Sequence, residues 1–441
     1  MARTAQSGGR SADGRRPRTD TPSVRLIRQR PPSIEGIDPN TPVVVISAQT
    51  HGPLGIFRSL GRLGIAVHAV DPDPRRAPSY SRYLRSRIRL DVAAGSPDAI
   101  ADRLLRVADT FDRRPILIPT TDQTSVLVDE HRDTLAAGFL IPERPRGLAA
   151  SLANKRTMAD LADRHGVPTP KVDFPTGVDD VRRYAEGAVF PVMLKGIDGA
   201  RLKARTGRRM VIVEDARSLE RLYIELEDPA DPNLMLQEYI PGGDDDIWMF
   251  NGYFDANADC LVGFTGRKIR QTPIHTGATS LGVCLPNREV EEMTVRWMKE
   301  LGYSGILDIG YRFDARDRRY KVLDVNPRIG ATFRLFVAGN GMDVVRALYL
   351  DLTGQPVPTA EPRNGRRWIN EGADLRSSIL YAREGSLGIR SWLTSLRDVR
   401  EGAYFARDDV QPFLRMATSL DRRVEATAAR RRPSRGSIQV R

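Results

Sequence analysis

The sequence predicts an α/β domain followed by an α+β domain, and three observations support this. In residues 41–145, short β-branched runs alternate with helical patterns, which is typical of a parallel sheet with crossover helices. In residues 190–328, strand patterns follow one another through Gly- and Asp-rich turns, which indicates antiparallel pairing. The chain has 441 residues, too many for one compact core.

The first domain begins with the strand pattern TPVVVISA (41–48), and a helical stretch, GIFRSLGRLG, follows it. IAVHAVDPD and PILIPTTD (115–122) read as further strands, the latter before the helix-like SVLVDEHRDTLA. HGPLG lies where a dinucleotide-binding turn would lie, and Asp71 ends the second strand as a ribose-binding acid would. The G-x-G-x-x-G fingerprint is absent, so a cofactor in this domain is the less favoured interpretation.

The second domain combines helices with antiparallel strands. NKRTMADLADRHGVPTP (154–170) predicts a helix that Gly166 closes. FPVMLKGIDG and RRMVIVED predict two strands joined by a loop rich in Gly, Lys and Arg. LMLQEYIPGGDDDIWMFNGYF predicts strand, turn and strand, EVEEMTVRWMKELGY an amphipathic helix, and residues 305–328 a hairpin.

The formal charge of +12 is concentrated at the two ends of the chain. Residues 1–40 hold eight Arg against four acids, and residues 421–441 hold seven Arg against two. Such segments are poor in apolar residues, so we expect solvated, disordered tails and no specific nucleic-acid partner. We therefore expect a basic tail (1–40), an α/β domain (41–145), a second domain (146–354), a mostly helical C-terminal extension (355–420) and a second basic tail (421–441).

Composition also limits the class of protein. No apolar run approaches the roughly 20 residues that a membrane helix requires, so no membrane span is expected. The chain has only two cysteines, which indicates no disulfide framework. The cytoplasm is the expected location.

The stretch KVLDVNPRIG (321–330) changes character at the end of a strand pattern. Asp324 and Asn326 are two residues apart, so they project from the same face of the strand. Carboxylate and amide oxygens at a strand end suit Mg²⁺, which prefers a few carboxylates together with phosphates and water. The alternative is that the two residues only cap the turn before the following proline.

The neighbouring strand of the hairpin favours the metal site. If Asp314 pairs with Tyr320 across the turn, Gly310 lies opposite Asp324. Asp308 then lies opposite Asn326 on the same face. Three oxygen-bearing side chains would then converge on a small volume. Carboxylates that close repel one another unless a cation lies between them.

Residues suited to a nucleotide lie upstream of the hairpin. Lys155 opens a helix and Lys195 ends an apolar strand just before a glycine, where a phosphate can approach closely. Either lysine alone is better explained as a surface charge, but two of them before an acidic metal site favour phosphate binding. In QEYIPGGDDD, Glu238 and the Ile240 backbone suit an adenine edge and Asp245 suits ribose hydroxyls, although the same residues would also form an acidic β-turn.

This order of motifs resembles the ATP-grasp superfamily, in particular its carboxylate–amine ligases, over roughly residues 41–350. The resemblance implies a pre-ATP-grasp domain followed by an ATP-grasp fold, with ATP and Mg²⁺ as cofactors. It also implies residue roles: phosphate binding by Lys155 and Lys195, adenine binding by Glu238 and Ile240, ribose binding by Asp245, magnesium binding by Asp324 and Asn326, and stabilisation of the transferred phosphoryl group by Arg328. The family's first metal ligand falls at Gly310, which departs from the pattern.

The reaction implied is phosphorylation of a carboxylate by ATP, followed by attack of an amine on the acyl phosphate, with ADP and phosphate as products. Within GRKIRQTPIHTGATSLG (266–282), Lys268 is expected at the phosphates and Arg270 and His275 at the substrate, although Lys268 and Arg270 also fit a solvated strand face. Arg334 is a second candidate for the substrate carboxylate.

The expected partners are a small-molecule carboxylate and an amine, with a homodimer left open. Two alternatives of other classes stay in view. One is a nucleotide-binding regulatory or scaffold protein without ligase activity, which Gly310 motivates. The other is a nucleic-acid-binding protein that acts through the Arg-rich tails.

Overall fold

A computed structural model of the chain describes residues 36–46, 50–73 and 75–418. The predicted basic tails therefore lie outside the described residues, apart from residues 36–40. The described strands form three sheets, and the fold class is the predicted combination of a parallel α/β sheet with antiparallel sheets and helices.

The first sheet is parallel, with strand order β3-β2-β1-β4, as the alternating pattern predicted. Its third strand and the helix that follows had no counterpart in the sequence prediction. The strand LRSRIR has only two apolar residues and lies at the edge of the sheet with most of its side chains exposed. The elements are β1 (Val43–Ile46), α1 (His51–Gly61), β2 (Val67–Asp71), β3 (Leu84–Arg89), α2 (Pro97–Ala108), β4 (Ile116–Pro119), α3 (Asp122–Glu130) and α4 (Arg132–Leu135).

The second sheet is small and antiparallel, with strand order β5-β8-β6-β7. The loop predicted between FPVMLKGIDG and RRMVIVED is wrong, because residues 199–206 form a helix. The Asp198 side chain accepts hydrogen bonds from the backbone at the start of this helix, and Gly207 ends it with φ of +78°. The elements are α5 (Leu148–Ala153), α6 (Lys155–Arg164), β5 (Val172–Asp173), α7 (Val178–Gly187), β6 (Val192–Gly196), α8 (Gly199–Thr206), β7 (Met210–Val213), α9 (Ala216–Leu226) and β8 (Leu234–Glu238).

The third sheet is the largest, with strand order β13-β12-β9-β10-β11-β14-β15. Its last two strands come from the C-terminal extension, which was predicted as mostly helical and also contains a helix over residues 411–418. The elements are β9 (Ile247–Phe254), β10 (Cys260–Thr272), β11 (Ala278–Cys284), α10 (Arg288–Glu300), β12 (Gly305–Asp314), β13 (Arg319–Asn326), α11 (Val344–Leu352), β14 (Arg367–Ile369), α12 (Glu371–Arg383), α13 (Ile389–Ser395) and β15 (Val399–Gly402).

At its open end the hairpin β12–β13 has the predicted pairing, but near the turn its register differs from the prediction. Asp314 pairs with Arg319, one residue away from the predicted partner. A β-bulge at Leu323 then adds one residue to β13, so that Gly310 lies opposite Asp324 as predicted. The second predicted pair on this face also forms.

One hydrophobic core joins the parallel sheet to the large sheet. Side chains of β1, α1, β9, β10 and α11 contribute to it, and so does Trp368 of the C-terminal extension. This shared core fixes the ends of the parallel strands relative to the hairpin. Among the described residues, no helix is both long and apolar enough to cross a membrane.

Candidate functional site

Lysine side chains from three elements lie near the open face of the β12–β13 hairpin. Lys155 begins α6, Lys195 lies on β6 and Lys268 lies on β10. Lys155 contacts Asp324 directly, and the charge of this carboxylate acts to raise the pKa of all three lysines. The structure therefore brings the predicted phosphate-binding and metal-binding residues together.

Asp324 and Lys155 form an ion pair. The Lys155 Nζ atom lies 2.8 Å from Asp324 Oδ1. Burial alone would lower the pKa of Lys155, but the carboxylate outweighs it and the pKa is raised. Burial likewise acts to raise the pKa of Asp324, and Lys155 outweighs it and lowers the pKa. Both groups are therefore charged at neutral pH.

The other two lysines have no anionic partner within the part of the chain that the structure describes. Lys195 is 7% exposed and donates to Gln237 Oε1 at 3.0 Å, while Lys268 donates to Gln271 Oε1 and the Gly277 carbonyl. Neither forms an ion pair with a residue that the structure describes. Burial, aided by the neighbouring Lys155, lowers the pKa of Lys195 to about 7, and burial lowers that of Lys268 to about 8. An anion bound here would stabilise both ammonium groups.

Asp308 is held by two amides. Its carboxylate lies 3.4 Å from Asn251 Nδ2 and 3.2 Å from Asn326 Nδ2. Burial raises the pKa of Asp308 to about 6, and Arg328 opposes that shift. Gly330 lies against this carboxylate, where a Cβ atom would come within 2.5 Å of Asp308 Oδ1. The glycine after NPRI is therefore required by the close approach of Asp308.

Asn251 was not predicted as a site residue, although its position in an apolar strand pattern could have indicated one. This residue is fully buried on β9, and it is paired with Asp308 on β12. Its Oδ1 atom is buried and has no hydrogen-bond partner among the described residues. An asparagine in the apolar run WMFNGYF indicates a functional or structural polar contact, because an unpaired buried amide is costly.

Gly310 faces open space. A Cβ atom added there would meet no atom within 4 Å, and its φ does not lie in the left-handed region. The bare position is therefore not required by packing, and a longer side chain has room beside Asp324.

Arg328 links the hairpin to the first domain. Its Nε and Nη2 atoms lie 2.8 and 3.3 Å from the Asp122 carboxylate, and Nη2 also lies 2.9 Å from Asn326 Oδ1. Burial acts to lower the pKa of Arg328, but Asp122 outweighs it and the pKa is raised. Because Asp122 follows β4 of the parallel sheet, the first domain orients this guanidinium.

The predicted nucleoside residues lie at the end of β8. The Glu238 carboxylate accepts from Arg316 Nη2 at 2.6 Å and from the Lys171 backbone N–H at 3.1 Å, so its side chain already has partners. The backbone N–H and C=O of Ile240 form no hydrogen bond with described residues, as an adenine edge would require. The Asp245 side chain is 67% exposed. These three roles stay predictions.

Two predicted substrate residues are reassigned. Arg270 forms a two-point ion pair with Asp374 of α12, at 2.8 and 2.9 Å. Arg334 is paired with Glu401 at 2.9 Å and with Asp343. Both arginines are nearly fully buried, and carboxylates of the protein already neutralise them. We therefore give them structural roles rather than substrate binding.

We expect Arg270→Met to lower the free energy of unfolding by about 3–5 kcal/mol, because it leaves Asp374 buried without its counter-ion. Urea unfolding followed by fluorescence measures the loss. The double variant Arg270→Met/Asp374→Leu should recover much of it, since no buried charge is left unpaired. Wild-type stability combined with a raised KM for a carboxylate substrate would restore the original prediction.

His275 occupies the loop after β10. Its side chain is half exposed, with Nε2 3.0 Å from Glu384, and its backbone has φ of +64°. The Tyr381 hydroxyl accepts from the His275 backbone N–H and is also hydrogen-bonded to Asp244. This contact between α12 and the site loop was not predicted from the sequence. A substrate role for His275 stays a prediction.

The charges of the clustered residues suit the binding of a polyphosphate together with Mg²⁺. Four cations (Lys155, Lys195, Lys268 and Arg328) face two carboxylates and an amide oxygen donor. No group of three His, Cys, Asp or Glu side chains poised for a metal occurs within the described residues. A hard cation would therefore need phosphate oxygens and water to complete its ligands, as Mg²⁺ commonly does.

The fold is that of the ATP-grasp class. Solved structures with a similar fold include an L-amino acid ligase from Bacillus licheniformis, with 15% identity, a TM-score of 0.57 and coverage of 75% of this chain and 79% of that chain. An N5-carboxyaminoimidazole synthetase from Staphylococcus aureus, complexed with ADP, has 13% identity, a TM-score of 0.56 and coverage of 76% and 83%. A Campylobacter jejuni biotin carboxylase–β,γ-ATP complex has 15% identity, a TM-score of 0.57 and coverage of 74% of each chain.

Among curated proteins, the chain is similar to D-aspartate ligase of Enterococcus faecium (strain Aus0004). The two are 23% identical over 290 residues, which cover 62% of this chain and 68% of the relative. No protein-family model matches the chain. The predicted resemblance to the ATP-grasp superfamily and its carboxylate–amine ligases is confirmed.

Proposed function

We propose that the chain is an ATP-dependent carboxylate–amine ligase that forms ADP and phosphate. The observation that carries this proposal is the pair of lysines without a counter-anion, Lys195 and Lys268, beside the oxygen donors of the hairpin. Such an arrangement favours a bound polyphosphate electrostatically. Similarity to a D-aspartate ligase and an L-amino acid ligase supports an amino acid as one of the two substrates.

In this proposal the substrate carboxylate takes the γ-phosphoryl group of ATP, ADP leaves, and an amine then attacks the acyl carbon and displaces phosphate. Lys155, Lys195 and Lys268 bind the phosphates. Asp324 and Asn326 would hold magnesium directly and Asp308 through water, and the ion would supply charge neutralisation and orientation of the phosphates. Arg328 stabilises the charge on the transferred group.

These roles require positioning and charge neutralisation rather than a covalent nucleophile on the protein. Both cysteines fit this interpretation, because burial raises the pKa of Cys260 to about 12 and that of Cys284 to about 11, well above the range of reactive thiols. We propose the cytoplasm as the location, where ATP is supplied, and small molecules as the partners.

The alternative of a nucleotide-binding protein without ligase chemistry depended on Gly310. The space at this position is open and lies beside Asp324, so a cation with water ligands fits there. No comparison favours the non-catalytic alternative. The ligase is therefore the better supported function.

A direct test is ATP turnover with Mg²⁺ over a panel of amino acids and small carboxylates, with D-aspartate among the first. We expect ADP and phosphate to form only when both substrates are present, with an amide product detected by mass spectrometry. Formation of AMP and pyrophosphate would contradict the acyl-phosphate route.

A magnesium titration tests the hairpin site. We expect Asp308→Asn to raise the magnesium concentration needed for half-maximal turnover by about tenfold, because a carboxylate that orients metal-bound water is lost. Gly310→Asp should lower that concentration, since a direct ligand fits the open space beside Asp324. Gly187→Asp, at a glycine with equally open surroundings on α7, is the control. An unchanged requirement in both site variants would show that this face does not hold the ion.

A further inference from the structure

Helix α12 is built with its polar face inward and its apolar face outward. Four polar residues at helical spacing are buried against the large sheet: Asp374, Ser377, Ser378 and Tyr381. Three large aliphatic residues on the opposite side are exposed: Leu375 (55%), Ile379 (47%) and Leu380 (42%). A helix that only covered a core would show the reverse pattern.

The buried polar face has a clear partner inside the protein. Asp374 receives the Arg270 guanidinium, the Ala373 carbonyl accepts from Thr272 Oγ1, and Tyr381 is hydrogen-bonded to Asp244. These contacts hold the end of β10 and its loop. They account for the inner face of α12 and leave the outer aliphatic residues without a function in the fold.

Helix α13 extends the same exposed surface. It has no buried residue, and its aliphatic side chains Ile389 and Leu393, four residues apart on one face, are 68% and 55% exposed. The Trp392 indole N–H lies 3.3 Å from Asp374 Oδ2, which ties α13 to α12. Of the ten large apolar side chains that are exposed in the described residues, five lie on these two short helices. A concentration of this kind marks an interaction surface.

The exposed charged side chains within α12 and α13 are all positive, and the exposed acid that follows α12, Glu384, lies 3.0 Å from His275 Nε2. The exposed charged side chains of α12 and α13 are Arg376, Arg383 and Arg390, and none forms an ion pair with a described residue. The surface formed by the exposed side chains of α12 and α13 is thus both aliphatic and cationic.

We propose that the α12–α13 surface docks on an anionic lipid bilayer. The aliphatic side chains enter the boundary between headgroups and acyl chains, and the arginines reach the lipid phosphates while their stems stay apolar. Each basic residue near such a surface adds attraction that salt screens. A second copy of the chain would bring like charges together, and a nucleic acid offers no apolar phase for the leucines and isoleucines.

The test is sedimentation of the full-length protein with vesicles of phosphatidylcholine alone and of an equal mixture with phosphatidylglycerol. We expect binding to the anionic vesicles, weaker binding to the neutral ones, and loss of binding as salt rises. Leu375→Ser/Ile379→Ser/Leu393→Ser and Arg376→Gln/Arg383→Gln/Arg390→Gln should each reduce the fraction bound by about tenfold or more. Neither triple variant is expected to change ATP turnover without vesicles.

A matched control is Arg221→Gln/Ile224→Ser, which alters an exposed arginine and isoleucine on α9 and should bind as the wild type does. The proposal is overturned if the wild type does not bind anionic vesicles, or if binding survives both triple variants and disappears only when residues 419–441 are removed. It is equally overturned if the aliphatic variant abolishes a dimer seen by sedimentation equilibrium and leaves vesicle binding intact. Tight binding to DNA that the aliphatic variant does not weaken, without vesicle binding, would assign the surface to nucleic acid.

Discussion

Replacing Arg328 by lysine is expected to lower turnover about a hundredfold while changing ATP affinity much less, because donors aimed at a transferred group act mainly in the transition state. A guanidinium has five N–H donors in a fixed fork. Asp122, Asn326 and the Ile329 carbonyl engage four of them, and one Nη1 donor stays free to reach a phosphoryl oxygen. Lysine keeps the charge but cannot hold these partners and the phosphoryl group at once.

Steady-state kinetics and calorimetric titration with ATP measure the two effects separately. The control is Arg363→Lys, which alters an arginine that donates to the Gly339 carbonyl away from the hairpin face, and its turnover should equal that of the wild type. Wild-type turnover in Arg328→Lys would remove this residue from catalysis. An equal loss in turnover and in ATP affinity would place it in ground-state binding instead.

The hairpin was predictable because its determinants are local. Strand alternation and the turn DARDRR fix which residues share a face, and they led to Gly310 opposite Asp324. The bulge at Leu323 was not predictable, since nothing in the residue types of VLDVN distinguishes a bulged from a regular strand. The register predicted at the turn differed from the observed one by one residue. The bulge adds one residue to β13 and so restores the predicted pairing at the open end.

The misassigned arginines show where sequence reasoning reaches its limit. Arg270 and Lys268 lie two residues apart on β10 and are both positively charged. Their roles differ because Asp374, more than a hundred residues later, lies against Arg270 and no acid lies within ion-pair distance of Lys268 among the described residues. Such pairing depends on how the C-terminal extension packs on the sheet, and that extension contained no recognisable motif.

The same limit applies to helices. The stretch after β6 is rich in Gly, Lys and Arg and was predicted as a loop, yet the Asp198 cap and Gly207 bound a helix there. In α12 the apolar periodicity was visible, but it marks the exposed face rather than the core. Periodicity predicts that a helix has two unlike faces, and only tertiary packing decides which of them is buried.

Lys195→Ala is expected to weaken ATP binding by about 1.5–3 kcal/mol, the contribution of a charge-assisted hydrogen bond to phosphate. Lys195→Met should weaken it equally, because methionine restores the side-chain volume and not the charge. Lys203→Ala, at an exposed lysine on α8, is the control and should bind as the wild type does. Calorimetric titration at neutral pH measures all three, with thermal unfolding to show that the fold is kept.

The pH dependence separates a phosphate-binding Lys195 from a merely structural one. Burial holds the pKa of Lys195 at about 7 in the free protein, so this side chain is mostly protonated below pH 7 and mostly neutral well above it. A bound phosphate favours the ammonium form and raises that pKa, so binding takes up a proton above pH 7 and ATP affinity falls as the pH rises from about 7 to about 9. In Lys195→Met this fall should shrink to the part that Lys268, with a pKa of about 8, contributes. An identical pH profile in wild type and variant would mean that the phosphates do not contact Lys195, and the nucleotide would then have to lie elsewhere in the cleft.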